Sequence, residues 1–359
     1  MYSPDSLGQL LDRALRLDLA VVVDIPLPAY DDKATAPTLT PLTDSILALV
    51  DRHRDHPALL FWMLGNEIFQ NGYDAGFLQQ YNQLADAVRA LDADHPVSTA
   101  VIPHQLLSLY TGWAGLRIDF ISLNMFGNLS TFDRTRDLLT PVWRGPYLIS
   151  EWSFNGPWEE QTTLWGAPLE SPSTTKAQHL RDRYLGEVSR SADRRLLGNL
   201  AFYWGAKYER TPTWFSLLSA TGGSSEPAFA LGNLWQERSA PFPGPQVAYL
   251  LLDERGGQES IMLPAGTSAM AKVQYAGLPP SELTFKWEVR AEDWRGQGEL
   301  GFGPDPIAGL FLRCDRDSTS FRTPDQPGPY RIYYYAESSD GFFSTANIPF
   351  YVVASNETK

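Results

Sequence analysis

Leu59-Leu60-Phe61-Trp62-Met63-Leu64-Gly65-Asn66-Glu67 is an apolar run that closes on a carboxylate, and Pro146-Tyr147-Leu148-Ile149-Ser150-Glu151-Trp152 repeats the pattern further along the chain. Short continuous apolar runs of this kind read as strands buried on both faces, as in a parallel sheet flanked by helices. A carboxylate at the end of such a strand is costly unless something uses it. In a parallel α/β barrel the strand ends carry the chemistry, so Glu67 and Glu151 would both point into one cleft. Gly65 lets the backbone pass closely there, and Asn66 places an amide beside the carboxylate.

Around these two runs the first 240 residues or so alternate helix and strand. Ser3 reads as an N-cap and Pro4 as the first helical residue, with Leu7, Leu10, Leu11, Ala14 and Leu15 at helical spacing. The run from Leu19 to Ile25, broken by Asp24, reads as a buried strand. A helix starts at Thr40-Pro41 and runs to about Arg54, and another covers 76–92 with Phe77, Tyr81, Leu84, Ala85, Val88 and Leu91 on one face. Strands are expected at 59–66, 96–102, 119–125, 146–151 and 200–206, and a polar helix from Ser173 to about Arg190. Such alternation argues for a parallel α/β fold. After the stiff stretch Ala240-Pro241-Phe242-Pro243-Gly244-Pro245 the periodicity becomes two. Val247 to Leu252, Ala269 to Tyr275, Leu283 to Val289, Tyr330 to Ala336 and Ile348 to Val353 read as strands. Asp340-Gly341 reads as a hairpin turn, and Trp287 as a core residue of a β-sandwich. Two domains are expected, 1–240 and 241–359.

With 359 residues the chain is long for a single core, and 43% apolar content argues against disorder. The 11 Trp, 16 Tyr and 18 Phe fit a large core and also a cleft that stacks sugar rings. A net charge of -13 without clustered Lys or Arg disfavours a nucleic-acid partner. One cysteine, Cys314, rules out an intramolecular disulfide. No run reaches the roughly 20 apolar residues of a membrane span, and the first residues lack the basic and apolar regions of a signal peptide. His53, His104 and His179 show no metal-ligand spacing, and His56 reads as a structural hydrogen-bonding residue. Asn128-Leu129-Ser130 and Asn356-Glu357-Thr358 match the glycosylation sequon, too common a triplet to argue source. There is no glycine-rich phosphate loop and no Gly-x-Ser-x-Gly elbow.

Trp62-Met63-Leu64-Gly65-Asn66-Glu67 resembles the W-x-x-G-N-E signature on the fourth strand of the clan A retaining glycosidases, and most closely the family 2 glycoside hydrolase barrel. Arg54-Asp55-His56-Pro57 is similar to the R-x-H-P segment that precedes it. Leu10-Leu11-Asp12-Arg13-Ala14 through Leu19-Ala20-Val21-Val22-Val23 resembles the helix and third strand. Asp119-Phe120-Ile121-Ser122-Leu123-Asn124 resembles the sixth strand, Ile149-Ser150-Glu151-Trp152 the seventh, and Ala201-Phe202-Tyr203-Trp204-Gly205 the eighth. Ala346-Asn347-Ile348-Pro349-Phe350 resembles immunoglobulin-like sandwich domains that follow such barrels in bacterial surface or periplasmic proteins. The resemblance covers about residues 3 to 240.

It implies a (β/α)8 TIM barrel lacking its first two strands, hence an N-terminal truncation of a longer, extracytoplasmic protein, followed by an all-β immunoglobulin-like sandwich. It implies retaining hydrolysis of a β-O-glycosidic bond of an oligo- or polysaccharide, with no cofactor. Glu67 would be the general acid/base and Glu151 the nucleophile. Asn66 would hydrogen-bond the hydroxyl beside the anomeric centre, Trp204 would stack on the sugar, and Asn124 and Trp152 would be lesser cleft contacts. Two departures stand out: Phe126 occupies the position of a sixth-strand Tyr that often touches the nucleophile, and the second-strand Arg has no counterpart. These favour a second reading, a catalytically impaired carbohydrate-binding or cell-surface module. Inversion or transglycosylation on the same scaffold is a third. For Glu67 the plain alternative is an ion-paired strand-end carboxylate, and for Trp204 a core aromatic. Trp158 and Trp165 flank a loop expected at the cleft rim, while the stretch Lys207 to Trp214 reads as cleft lining or as a solvated loop.

Overall fold

The computed structural model describes residues 4–31, 33, 37–103, 115–141, 143–189, 193–293 and 303–355. Ser3, His104 and the sequon at Asn356 lie outside them. The chain forms two compact units, Met1–Trp152 with Arg190–Leu200, and Ser153–Ser189 with Ala201–Lys359. These units do not part at residue 240: residues 153–189 and 201–240 group with the C-terminal sheets.

The first unit opens with α1 (Pro4–Arg16), where proline at the first position forfeits no intrahelical hydrogen bond. Leu7, Leu11 and Ala14 are buried, while Leu10 and Leu15 are exposed. There follow β1 (Val21–Ile25), α2 (Thr43–His53), β2 (Leu59–Asn66), α3 (Ala75–Leu91), β3 (Val97–Val101), β4 (Ile121–Met125), α4 (Phe132–Leu139), β5 (Tyr147–Trp152) and β6 (Leu196–Ala201). The Asp74 carboxylate caps α3 by accepting from the Phe77 amide at 2.7 Å. The six strands form one sheet in chain order, and β1 through β5 pair in parallel. This is a parallel half-barrel.

Alternate residues serve opposite faces of this sheet. Phe61, Met63, Ala100, Phe120 and Leu148 form one cluster, with Val22 packed against it. Trp62 lies on the other face of β2 and is wholly buried. Its indole Nε1 donates to Asp92 Oδ2 at 2.7 Å, just past the end of α3. Burial pulls the Asp92 carboxyl up, but hydrogen bonds from Trp62 and His95 outweigh it and hold the group below its ordinary value. The tryptophan of the W-x-x-G-N-E stretch therefore ties β2 to the helix that follows it. His56 is structural as expected: its Nδ1 accepts from the Ala58 amide at 3.1 Å, and its Nε2 lies 3.3 Å from Asp12. Asp24 on β1 is raised by burial, and its Oδ1 has no partner among the described residues.

The last strand of the sheet lies earlier than the expected 200–206. The ladder to β5 begins where the Tyr147 amide donates to the Arg195 carbonyl at 2.9 Å, so the strand runs 196–201. The aromatic residues beyond it join the second unit, where Phe202 packs on Phe215 at 5.2 Å.

In the second unit, α5 (Ser173–Arg183), β7 (Ser224–Ser225) and α6 (Glu226–Trp235) precede two antiparallel sheets. One orders β12 (Phe311–Cys314), β13 (Ser318–Arg322), β10 (Ser268–Tyr275) and β8 (Val247–Leu252). The other orders β11 (Leu283–Ala291), β14 (Gly328–Ser338) and β15 (Phe342–Val353), with β7 and β9 (Met262–Pro264) running parallel beside β15. Val247, Leu250 and Val273 from one sheet and Ile332, Tyr334 and Phe350 from the other share a single core. Trp287 fills it as the sequence predicts, its ring 4.6 Å from Tyr334. The Asp340-Gly341 turn joins β14 to β15, with Gly341 at φ 77°.

Four charges are buried beside this core. Lys176 Nζ reaches Glu170 Oε1 at 2.5 Å and the carbonyls of Thr213 and Trp214 at 2.8 and 2.9 Å. Glu170 Oε2 accepts from Thr211 at 2.6 Å and from Asn347 at 2.6 Å. Arg331 joins Asn347 to Glu292. Burial alone would raise the Glu170 carboxyl, but the Lys176 charge holds it below its ordinary value. Lys176→Met leaves Glu170 buried without its cation and should destabilise the protein by about 3–5 kcal/mol, read from urea unfolding.

In the first unit the Arg195 guanidinium brings Asp193 down to about 2. The Asp193 pKa is depressed in the folded state, so its contribution is present above the unfolded value near 3.8 and is lost as pH falls toward 2. Asp193→Asn should therefore flatten the fall of the melting temperature between about pH 4 and 2.

Candidate active site

The site candidates of the first unit collect at the C-terminal ends of β2, β4 and β5. Glu67 is the residue immediately after β2, half-buried, and its backbone is left-handed at φ 56°. A non-glycine residue holds that conformation only when its surroundings impose it. Here the Glu67 amide donates to the Ala100 carbonyl at 2.9 Å, and its own carbonyl accepts from the Gln70 amide at 2.9 Å. Gly65, two residues earlier, has φ +79°, and a Cβ there would stand 2.8 Å from Ile68 Cγ2. The ladder to β3 shifts register between Met63 and Asn66, and the Gly65 carbonyl turns to accept from Thr99 Oγ1 at 3.1 Å. The Gly-Asn-Glu triplet is thus a bulged strand end that throws the Glu67 side chain off the regular pleat.

Asn124 connects this end to the next. It lies on β4, almost wholly buried, and its backbone is in register with Glu151 on β5. Its Nδ2 donates to Glu67 Oε1 at 2.8 Å and to Asn66 Oδ1 at 2.9 Å. Its Oδ1 accepts from Ser150 Oγ at 2.7 Å. Glu67, Asn66, Asn124 and Glu151 are therefore brought together by one amide and one strand pairing. Asn66 is exposed and Glu151 half-buried. Phe126 follows β4 and is buried.

Of the two tryptophans expected as cleft contacts, one is enclosed and the other belongs to the second unit. Trp152 is fully enclosed, and its Nε1 donates to Asn199 Oδ1 at 2.8 Å, so its ring packs the core and presents no face to a cleft. Trp204 belongs to the second unit, where it is 58% exposed with its ring 6.2 Å from that of Trp235. An exposed indole keeps a stacking face open. Trp158, in the loop expected at a rim, is exposed as well. Of the polar-aromatic stretch, Thr211, Thr213 and Trp214 are buried, and both threonines bond to Glu170.

Sequence context alone assigns Ser150 no role. The signal was present: a hydroxyl inside a strand buried on both faces must find a partner. Ser98 and Ser122 obey the same rule, with their hydroxyls 2.8 Å apart on β3 and β4.

Residues 22–126 match the family model for the glycosyl hydrolases family 2 TIM barrel domain. This agrees with the resemblance of the W-x-x-G-N-E stretch, and the matched segment includes Asn66, Glu67, Asn124 and Phe126. No curated protein matches the chain. Among solved structures it is similar to Bacteroides uniformis β-glucuronidase 2, covalently bound to cyclophellitol-6-carboxylate aziridine, at 13% identity over 96% of this chain and 40% of that one, TM-score 0.48. It is similar also to the β-D-glucuronidase of Dictyoglomus thermophilum, at 13% identity over 66% and 43% of the two chains, TM-score 0.48. A GH113 β-1,4-mannanase matches at 17% identity over 66% and 80%, TM-score 0.46. The chain spans about 40% of the length of the Bacteroides enzyme.

Gly65→Ala meets both the left-handed backbone and Ile68. It should destabilise the first unit by about 1–2 kcal/mol or more, measured by chemical denaturation.

Proposed function

We propose that the ends of β2 and β5 are the active site of a glycosidase that cleaves β-O-glycosidic bonds with retention. Glu67 acts as general acid/base and Glu151 as nucleophile. The observation that carries this reading is Asn124, whose side chain holds Glu67 while its backbone is paired with Glu151. The family 2 match over residues 22–126 supports it.

In the first step Glu151 attacks the anomeric carbon as the glycosidic bond breaks, and Glu67 gives its proton to the departing oxygen. The glycosyl ester on Glu151 is then attacked by water, whose proton passes to Glu67, regenerating both carboxyl groups. This requires the two carboxyl groups to stand about 5 Å apart. Asn66, exposed beside Glu67, would bond the hydroxyl next to the anomeric centre, a bond that strengthens in the transition state. The two-sheet core of the second unit reads as an immunoglobulin-like accessory domain.

Phe126 favours a second reading. It brings no hydroxyl to the end of β4, so a site of this kind could bind sugar and turn over nothing.

Glu151→Gln should lower kcat on a panel of aryl β-glycosides by about 10³-fold or more, and Glu67→Gln by about 10²- to 10⁴-fold. NMR of the first-formed product should show the β anomer. An α product, or unchanged rates in both variants, sinks the assignment. Saturable sugar binding by the unmodified chain with no turnover of any aryl glycoside establishes the binding module instead.

A further inference from the structure

The polar groups behind Glu67 form a directed chain. Glu67, when ionised, can only accept, so the side of the Asn124 amide that faces it at 2.8 Å is the NH2 group. The Asn66 side-chain oxygen, 2.9 Å from the same nitrogen, accepts from it as well. Asn124 Oδ1 then points at Ser150 Oγ, 2.7 Å away, and the hydroxyl must donate. With the amide turned over, its oxygen would stand against the Glu67 carboxylate. Ser150 is buried, and among the described residues Asn124 is the hydrogen-bond partner shown for its hydroxyl.

We propose that Ser150 is a positioning residue for proton delivery by Glu67, acting through the Asn124 amide. This rests on the reading of Glu67 as the acid/base. The terminal torsion of an asparagine is broad and close to two-fold, so a lone amide is poorly fixed. Ser150 fixes it from behind, and Asn124 then holds Glu67 where a leaving oxygen can take its proton. Transfer needs the two oxygens about 2.6–3.2 Å apart, a tolerance that a swinging carboxyl exceeds. Ser150 also directly precedes Glu151, so β5 governs both carboxylates: one as its own residue, the other through two hydrogen bonds.

The test compares leaving groups in the full chain. A dinitrophenyl β-glycoside departs without protonation, whereas a phenyl β-glycoside needs the acid. Ser150→Ala should lower kcat/KM about tenfold on the phenyl substrate and less than about twofold on the dinitrophenyl substrate, and Ser150→Thr should restore the phenyl rate. Equal losses on both substrates, or none on either, overturn the proposal, since a general structural defect slows both alike. Glu67→Gln run in parallel separates the two ideas: if it spares the phenyl substrate, the reading of Glu67 itself fails. The hydrogen exchange of the Asn124 side-chain amide, assigned with Asn124→Asp, needs no turnover. It should be slow in the unmodified protein and fast in Ser150→Ala, and unchanged exchange overturns the coupling.

Discussion

A parallel sheet covered on both faces has no water to satisfy a stray polar group, and the first unit is arranged around that constraint. Polar side chains on the strands find partners within the protein or reach a strand end, with Asp24 Oδ1 the exception among the described residues. Trp62 finds Asp92, Thr99 finds the Gly65 carbonyl, Ser98 finds Ser122, and Ser150 finds Asn124. The last of these pairs continues upward into Asn66 and Glu67, where the sheet meets solvent. The candidate site is thus the exposed end of a series of internal hydrogen bonds that the fold requires in any case.

The second unit answers the same constraint with ions. Glu170, Lys176, Arg331 and Glu292 are all buried, and the hydroxyls of Thr211 and Thr213 with the Asn347 amide fill the remaining valences. Buried pairs of this kind add little over an apolar core of equal volume, yet losing one member is expensive. Their effect is selective: they fix which segment lies on which sheet. Residues 168–176 and 211–214 are held to β14 and β15 by these groups, so stretches that read as part of a barrel in the sequence group with the sheets.

Strand positions with strong periodicity were legible. The spans 59–66 and 247–252 match the strands β2 and β8, and Trp287 is a core residue. The missed elements are those whose pattern is weak. In β13 only Thr319 and Phe321 face inward, and α6 carries apolar residues along most of its length. Apolar character misled at 200–206, because aromatic residues beyond Ala201 pack in another unit, and at Trp152, whose side chain is core. The position of Glu67 at the end of β2 was legible because the apolar run before it is continuous. The hydrogen bonds from Ser150 to Asn124 and from Asn124 to Glu67 depend on the orientation of an amide, which no spacing in the sequence encodes.

The first unit is discontinuous: the chain leaves it after Trp152 and returns at Arg190 to add β6. During synthesis β5 emerges well before the strand that will cover its edge. At about 5–20 residues per second, making residues 153–189 takes seconds, long on the scale of strand pairing. For that interval the nascent sheet carries an uncovered row of backbone donors and acceptors next to Glu151, the condition under which strands recruit wrong partners. Vectorial synthesis therefore makes the β5 edge the vulnerable point in the birth of this protein, at the same strand that holds its candidate nucleophile.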